Sequence, residues 1–418
     1  MGTDLRPPAN IWERSGPVTS IPAQLAEVLP VVRAHADRCD AEARFPRESL
    51  DALRASGLMG MLVPRRYGGL GADLRTFSAT AQELAGACLS TAMIWAMHGQ
   101  QADAVVRHAG PRLAQDLLPR IARGKTYLAS VTTEPGKGGH LLSADAALTS
   151  EDGLLHFDRT GPVVTGAEHA DGFLITLRAA PDAHSGQVSL VYAERSQVAI
   201  ELTGDWNPLG MRGTDSIGVR LKGSVGQHQL VGRQGEFRTV AVDSMIPVGH
   251  IAWASCWLGA ARAGYQRFVR LLTSRDRPRG VDLQSPLTAE RLARIRMDLE
   301  LVSGYLCGVI AEVDDLRATG QGAEEPALHI HLNTLKLAAS ELAFAASDRM
   351  VQLAGLTLGY QRDSPLRLER LFRDLRSAAL NYANDRLLTA NGNLCLLDRR
   401  VRLISTPLRQ TDPGQAVK

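Results

Sequence analysis

Three short stretches carry residue types at spacings that could do chemistry: Thr132-Thr133-Glu134-Pro135-Gly136, the glycine pair Gly138-Gly139, and Val163-Val164-Thr165-Gly166. Hydroxyls beside glycines at strand ends let backbone N–H groups and threonine side chains reach a flat, polar-edged ring without obstruction. The plainer reading of any single Thr-Gly pair is a hairpin turn.

These stretches fall in the part of the chain that reads as strand and turn. From Tyr127 to Thr176, glycines punctuate runs that alternate apolar and polar on a period near two. A second β portion runs from Gln187 to Gly232 as short strands with turn residues at close intervals, which predicts an antiparallel sheet or small barrel. Helices must hold this unit from both sides. Ile21 to Gly57 predicts two amphipathic helices, and the segment from Thr76 predicts one long, mostly buried helix ending at Gly99 or Gly110. After Val240 the chain returns to helices whose lengths and short connections suit a four-helix bundle. In the first of these, Ala252, Cys256, Gly259 and Ala263 form a narrow stripe against which another helix can pack closely. The expected divisions are a loose tail over 1–20, a helical domain over 21–126, a β domain over 127–235 and a helical bundle over 236–418.

Composition bounds the function. A chain of 418 residues, 44% hydrophobic and 22% charged, can bury a large core and is ordinary for a globular protein. Its net charge of +3 gives no general attraction to nucleic acid or anionic membrane. Five scattered cysteines, never spaced Cys-x-x-Cys, predict reduced thiols in the cytoplasm and offer no metal-ligand pattern. No apolar run reaches the length of a membrane-spanning helix, and the opening residues lack the apolar core of a signal peptide.

Helices, a β unit and a helical bundle, in that order and with six motifs, resemble the acyl-CoA dehydrogenase superfamily of flavoproteins. The motifs are Val63-Pro64-x-x-Tyr67-Gly68-Gly69-Leu70-Gly71, Thr133-Glu134-Pro135-Gly136, Leu209-Gly210-Met211-Arg212-Gly213-Thr214, Leu258-Gly259-Ala260-Ala261, Gln352-Leu353-Ala354-Gly355 and Arg370-Leu371-Phe372-Arg373-Asp374. The resemblance implies an α+β fold with FAD between the β unit and the bundle, in a homodimer or homotetramer. It implies that Thr132, Thr133 and Thr165 contact the flavin ring and that Gln352 and Gly355 cradle the ADP part. Arg275 would pair with the diphosphate across a subunit boundary, a task suited to its planar donor fork. A solvated helix-end charge is the plainer reading of Arg275.

Departures from the family pattern decide the expected chemistry. The dehydrogenases remove a proton alpha to a thioester carbonyl with a glutamate, usually just past the Arg-Asp pair. Here that place reads Leu380-Asn381-Tyr382-Ala383-Asn384, and the alternative location at the start of the first bundle helix reads Pro247-Val248-Gly249-His250. The usual Ser-Asp after the glycine turn is Gly139-His140, and the Trp that shields the flavin is Val163. The second glycine after Gly355 is Leu356, and the usual Thr-x-Gln is Asn384 to Arg386. The candidate acids and bases are His98, His250 and Tyr382, followed by His140, His169 and Asp385, since histidine titrates in the useful range. Arg212 reads as a scaffold contact. The expectation is therefore an FAD-dependent oxidoreductase acting on an acyl thioester or related small molecule by an oxidase or monooxygenase route. A flavin reductase or electron-transfer partner would supply it. The alternatives are a dehydrogenase with a relocated base and a scaffold that has lost flavin.

Overall fold

The computed structural model describes residues 20–137, 140–275, 277, 280–320 and 324–401. The expected tail, apart from Ser20, and the glycine pair Gly138-Gly139 lie outside the described residues. Helix α1 (Ile21–Glu42) ends where Ala43 turns left-handed at φ 50°, and α2 (Arg47–Ala55) follows. The predicted long helix is two, α3 (Leu74–Ala87) and α4 (Leu89–His108), and then comes α5 (Pro111–Ala122). Neither proline nor glycine marks the break. Cys88 alone is extended (φ −157°, ψ 116°), yet its N–H donates to Leu84 O and its C=O accepts from Ala92 N. The kink thus leaves Cys88's own backbone groups satisfied, which makes it invisible to propensity.

Among the described residues eight strands form two four-stranded sheets. The first, in spatial order, is β1 (Leu128–Val131), β4 (Gly172–Arg178), β5 (Val188–Glu194) and β8 (Leu230–Val231). The second is β2 (Thr149–Glu151), β3 (Leu154–Gly161), β7 (Gly218–Gly226) and β6 (Val198–Thr203). Pairing is antiparallel as expected except between β1 and β4, which run parallel. The chain leaves β1, builds the β2–β3 hairpin in the other sheet, and returns, and a parallel neighbour requires such a crossover.

The first sheet is buried on both faces. Phe173, Ile175 and Leu177 enter one core with the bundle and α1 to α4, while Leu174, Leu190 and Tyr192 enter a second with α5 and the last turns of α4. Period-two alternation therefore sorts one strand between two cores.

The bundle comprises α7 (Ile246–Leu272), α8 (Pro286–Thr319) and α9 (Pro326–Gly355), with α10 (Leu368–Arg376) and α11 (Asn384–Cys395) where a single fourth helix is expected. Gly259 on the small-residue stripe lies against α3, where a Cβ would fall 2.4 Å from the Gln82 backbone. Entry to α7 is unusual: a short helix, α6 (Phe237–Val240), continues through a π-helical turn over Ala241–Met245. Such a wide turn disturbs the helix's own hydrogen bonding, and side chains from α4 and α8 brace it. Gln100 Nε2 donates to Met245 O, Ser244 Oγ to the Asp103 carboxylate at 2.6 Å, and Arg317 bridges Asp103 (2.7 Å) and Asp243 O (3.3 Å). Arg107 and His108 hold the Asp243 carboxylate at 2.6 and 2.8 Å.

Burial alone would raise the pKa of Asp243, but hydrogen bonds from His108 and Arg107 outweigh it and hold the carboxyl well below its usual range. A folded-state value below the unfolded one stabilises above the unfolded pKa and is lost as pH falls. Asp243→Asn is expected to cost about 1 kcal/mol at pH 7, discounted for partial exposure. In urea titrations the gap from the parent should narrow as pH drops below about 4; a gap constant with pH would contradict this assignment.

Candidate active site

One cavity of about 540 Å³ lies where the three structural units meet. Its β side is formed by the ends of β1 and β3: Ser130, Thr132, Thr133, Val163 and Thr165. Thr133 Oγ1 donates to Val163 O at 3.1 Å, tying the two strand ends together. The neighbouring Glu134 is a clamp, its carboxylate accepting from Asp145 N and Ala146 N (2.8 Å each) and pairing at 2.7 Å with the fully buried Arg159.

Thr165 sits at the end of a chain of hydroxyls. Thr214 Oγ1 donates to Met211 O at 2.8 Å, and Ser216 Oγ donates to Thr214 at 2.9 Å. Each hydroxyl has one proton, so the 2.9 Å contact between Thr165 and Ser216 must be donated by Thr165. Thr165 can then only accept from whatever fills the cavity. Its backbone is fixed as well, since Tyr127 Oη donates to Thr165 O and Gly166 N to Thr214 O.

The opposite wall comes from α7 and the break after α10. His250, Trp253 and Trp257 share one face of α7 at helical spacing, next to Met93 and Met97 of α4. The fully buried imidazole of His250 donates from Nδ1 to Leu332 O at 3.0 Å, so the neutral tautomer leaves an acceptor at Nε2, for which no described residue is a partner. Burial pushes His250 down to about 4, so it is uncharged at neutral pH. Tyr382, at a left-handed φ of 55°, packs against Trp253 and His250 with ring centroids 5.5 and 6.4 Å away. Burial raises its phenol, and among the described residues the Oη has no partner. The buried Lys336 stabilises this strained turn by donating to Tyr382 O (3.1 Å) and Asn384 Oδ1 (2.7 Å). Burial lowers Lys336 to about 8, and the nearby Glu341 carboxylate offsets this only in part.

The mouth is set by Arg373-Asp374. Asp374 accepts from Met211 N at 2.6 Å, and Arg373 pairs with Asp40 (2.6 Å) and Glu369 (2.8 Å) while donating to Leu209 O. Gly210 is obligatory here, since a Cβ would lie 2.0 Å from Arg373 O. Arg212 donates to Asp40 O and Pro208 O, a scaffold role.

Of the residues singled out in the sequence, Thr132, Thr133, Thr165, His250 and Tyr382 line this cavity. His98 does not. It is fully buried, its Nδ1 accepts from Leu128 N (3.1 Å) and its Nε2 donates to Met59 O (3.0 Å), so both nitrogens serve the fold and it is withdrawn as a catalytic candidate. His169 pairs with Asp215 at 3.5 Å, and with Glu168 offers ligand atoms within 4.8 Å of one another in a separate pocket. Arg44 and Arg47 line that pocket and oppose a cation. Arg275 is exposed past the end of α7, Gln352 is bonded to Asp348, and Gly355 (φ 71°) ends α9, all outside the cavity. Gln100, Ser216, Trp253, Trp257 and Lys336 were missed. For the two tryptophans the signal was present, as the i, i+3, i+7 stripe from His250.

Among the described residues no Asp or Glu lines the cavity. The descriptions acyl-CoA dehydrogenase, N-terminal domain, over residues 26–125, and acyl-CoA dehydrogenase, C-terminal domain, over residues 239–380, together match more than half of the chain. The chain belongs to the acyl-CoA dehydrogenase family. Its α+β architecture is the fold of that family. It is 23% identical over 368 residues to a probable FMNH2-dependent monooxygenase, SfnC, of Pseudomonas putida, spanning 85% of this chain and 89% of that one. FMN-bound TdsC from Paenibacillus sp. A11-2 superposes with a TM-score of 0.80 at 22% identity, covering 91% of this chain and 99% of the other. Butyryl-CoA dehydrogenase from Megasphaera elsdenii gives 0.77 at 18% identity, over 89% and 98%. Among the described residues no helix is long and apolar enough to cross a membrane.

The tautomer of His250 is directly measurable. In protein carrying ring-labelled histidine, its signals are expected to show the Nδ1–H form and no shift change between pH 6 and 8, because the group titrates near 4. A midpoint near 6.5 would mean that the imidazole is open to water.

Proposed function

We propose that this chain is a flavin-dependent monooxygenase that takes reduced FMN from a separate reductase and oxygenates a small apolar molecule. The observation that carries the reading is the cavity wall itself: where a dehydrogenase needs a carboxylate, the described residues present a neutral imidazole, a phenol and two indoles. An imidazole near 4 is too weak a base to take an alpha proton efficiently at neutral pH, which calls for a group poised near the working pH. SfnC and TdsC, relatives or fold neighbours of this chain, carry FMNH2-dependent monooxygenase and FMN in their descriptions.

The residues present fit a flavin ring. Thr132, Thr133 and Thr165 would hold a flat tricycle on one side and Trp253, Trp257 and Tyr382 would hold it on the other. Thr165, restricted to accepting, suits a ring that presents N–H, as reduced flavin does at a position where oxidised flavin has a bare nitrogen. Reduced flavin would supply two electrons and two protons, so that one atom of O2 enters the substrate and the other leaves as water. The chain's own tasks are to exclude water with Met93, Met97 and the tryptophans, and to orient the reacting species through the His250 Nε2 acceptor.

FMN is favoured over the FAD expected from sequence because the places assigned to ADP are otherwise engaged. Gln352 donates to Asp348 at 2.7 Å. Leu356, where a second glycine would sit, begins a π-helical turn and is exposed.

Anaerobic titration is expected to give affinity for FMNH2 at least about tenfold above that for reduced FAD, a gap of about 1.4 kcal/mol. With reductase-supplied FMNH2, O2 and a panel of small apolar substrates, His250→Ala should lower product formation about 100-fold when assayed well below its own melting temperature. Bleaching of bound flavin by acyl-CoA alone would instead establish the dehydrogenase reading. A protein that takes up neither flavin would establish the scaffold reading.

A further inference from the structure

Farther along α7, a second pocket of about 290 Å³ shares no lining residue with the first. Its walls come from α1, α3 and the last turns of α7. Backbone forms much of its floor, because α3 and α7 approach through glycines: a Cβ on Gly86 would fall 3.1 Å from Ala263 Cβ.

The lining is dominated by guanidinium groups. Arg33, Arg262, Arg267 and Arg270 face a single carboxylate, Glu83, which is taken by Arg262 at 3.2 Å. Among the described residues no carboxylate pairs with Arg33, Arg267 or Arg270. Arg370, close enough to act on Arg267, is answered by Asp37 at 2.5 Å. Arg267 is the telling member. Its Nη1 makes only a long contact to Gly86 O (3.4 Å), and its Nε is shut off from solvent with no acceptor. Burial, and then repulsion from Arg370, Arg33 and Arg270, push this guanidinium down to about 10. A solvated arginine face does not bury an unanswered donor, and leaving a charged donor unpaired is costly.

We propose that this pocket binds a compact phosphate-bearing anion, a mono- or diphosphate group, with Arg267 at its base and Arg33 and Arg270 closing over it. A monocarboxylate brings one charge to three unanswered cations, whereas a diphosphate brings two or three with oxygens placed for forked donors. Binding would tie α1, α3 and α7 together and stabilise the fold in proportion to occupancy.

The test is calorimetric titration and thermal unfolding with inorganic pyrophosphate, inorganic phosphate and ADP, at ionic strength held constant with KCl to remove general screening. Saturable binding of pyrophosphate is expected, with a rise in melting temperature. Arg267→Gln should weaken it at least tenfold, yet unfold no earlier than the parent without anion, since it sheds a part-buried guanidinium that no carboxylate among the described residues answers. Arg220→Gln, in the β domain and paired with Asp158, should bind as the parent does. If Arg267→Gln does not fold, the exposed pair Arg33→Gln/Arg270→Gln is expected to show the same loss. ADP binding at least tenfold more tightly than pyrophosphate would mark the diphosphate as nucleotide-borne; equal affinity would mark a free one. No saturable binding up to millimolar pyrophosphate, or undiminished binding by both variants, overturns the proposal.

Discussion

The hydrogen bond from Met211 N to the buried carboxylate of Asp374 is the joint on which the rest of the structure depends. It fastens the β domain to the bundle, and Arg373 beside it reaches Asp40 on α1, so all three units meet within two residues. Burial raises Asp374 to about 6, with Arg370 and the Met211 N–H only partly offsetting it, so the carboxylate is kept at a net electrostatic cost. The same joint lets Thr214 reach Met211 O, and from there the hydroxyl chain reaches Thr165. Cavity mouth and ring-facing threonine are thereby set by one contact.

The two buried histidines show how environment assigns roles to one residue type. His98 and His250 both sit on buried helices and both are pushed down to about 4 by burial. His98 spends both nitrogens on Met59 and Leu128; His250 spends one on Leu332 and keeps the other. Charge state alone does not separate them. What separates them is whether the second nitrogen is answered by backbone from elsewhere in the fold.

That comparison also marks how far the sequence could be read. The order of the units, the hydroxyl-bearing strand ends and the lost glutamate were legible because they rest on local periodicity and on fixed spacings within motifs. His98 was not separable from His250, because its partners lie 30 and 39 residues away. Lys336 and Gln100 carry no local signal either, being ordinary helix formers that matter through the Tyr382 and Met245 carbonyls. The break at Cys88 was missed for a related reason, since the residue serves as both the end of one helix and the cap of the next.

The π-helical turn before α7 acts as a phase shifter. One extra residue per turn rotates everything downstream by about 100° relative to a regular helix. Ahead of it, Phe237 and Val240 point into the core beneath the first sheet; beyond it, His250, Trp253 and Trp257 point into the cavity. A single rod thus serves two interiors that face different ways. Its braces on α4 and α8 hold the angular register of every cavity side chain that α7 carries.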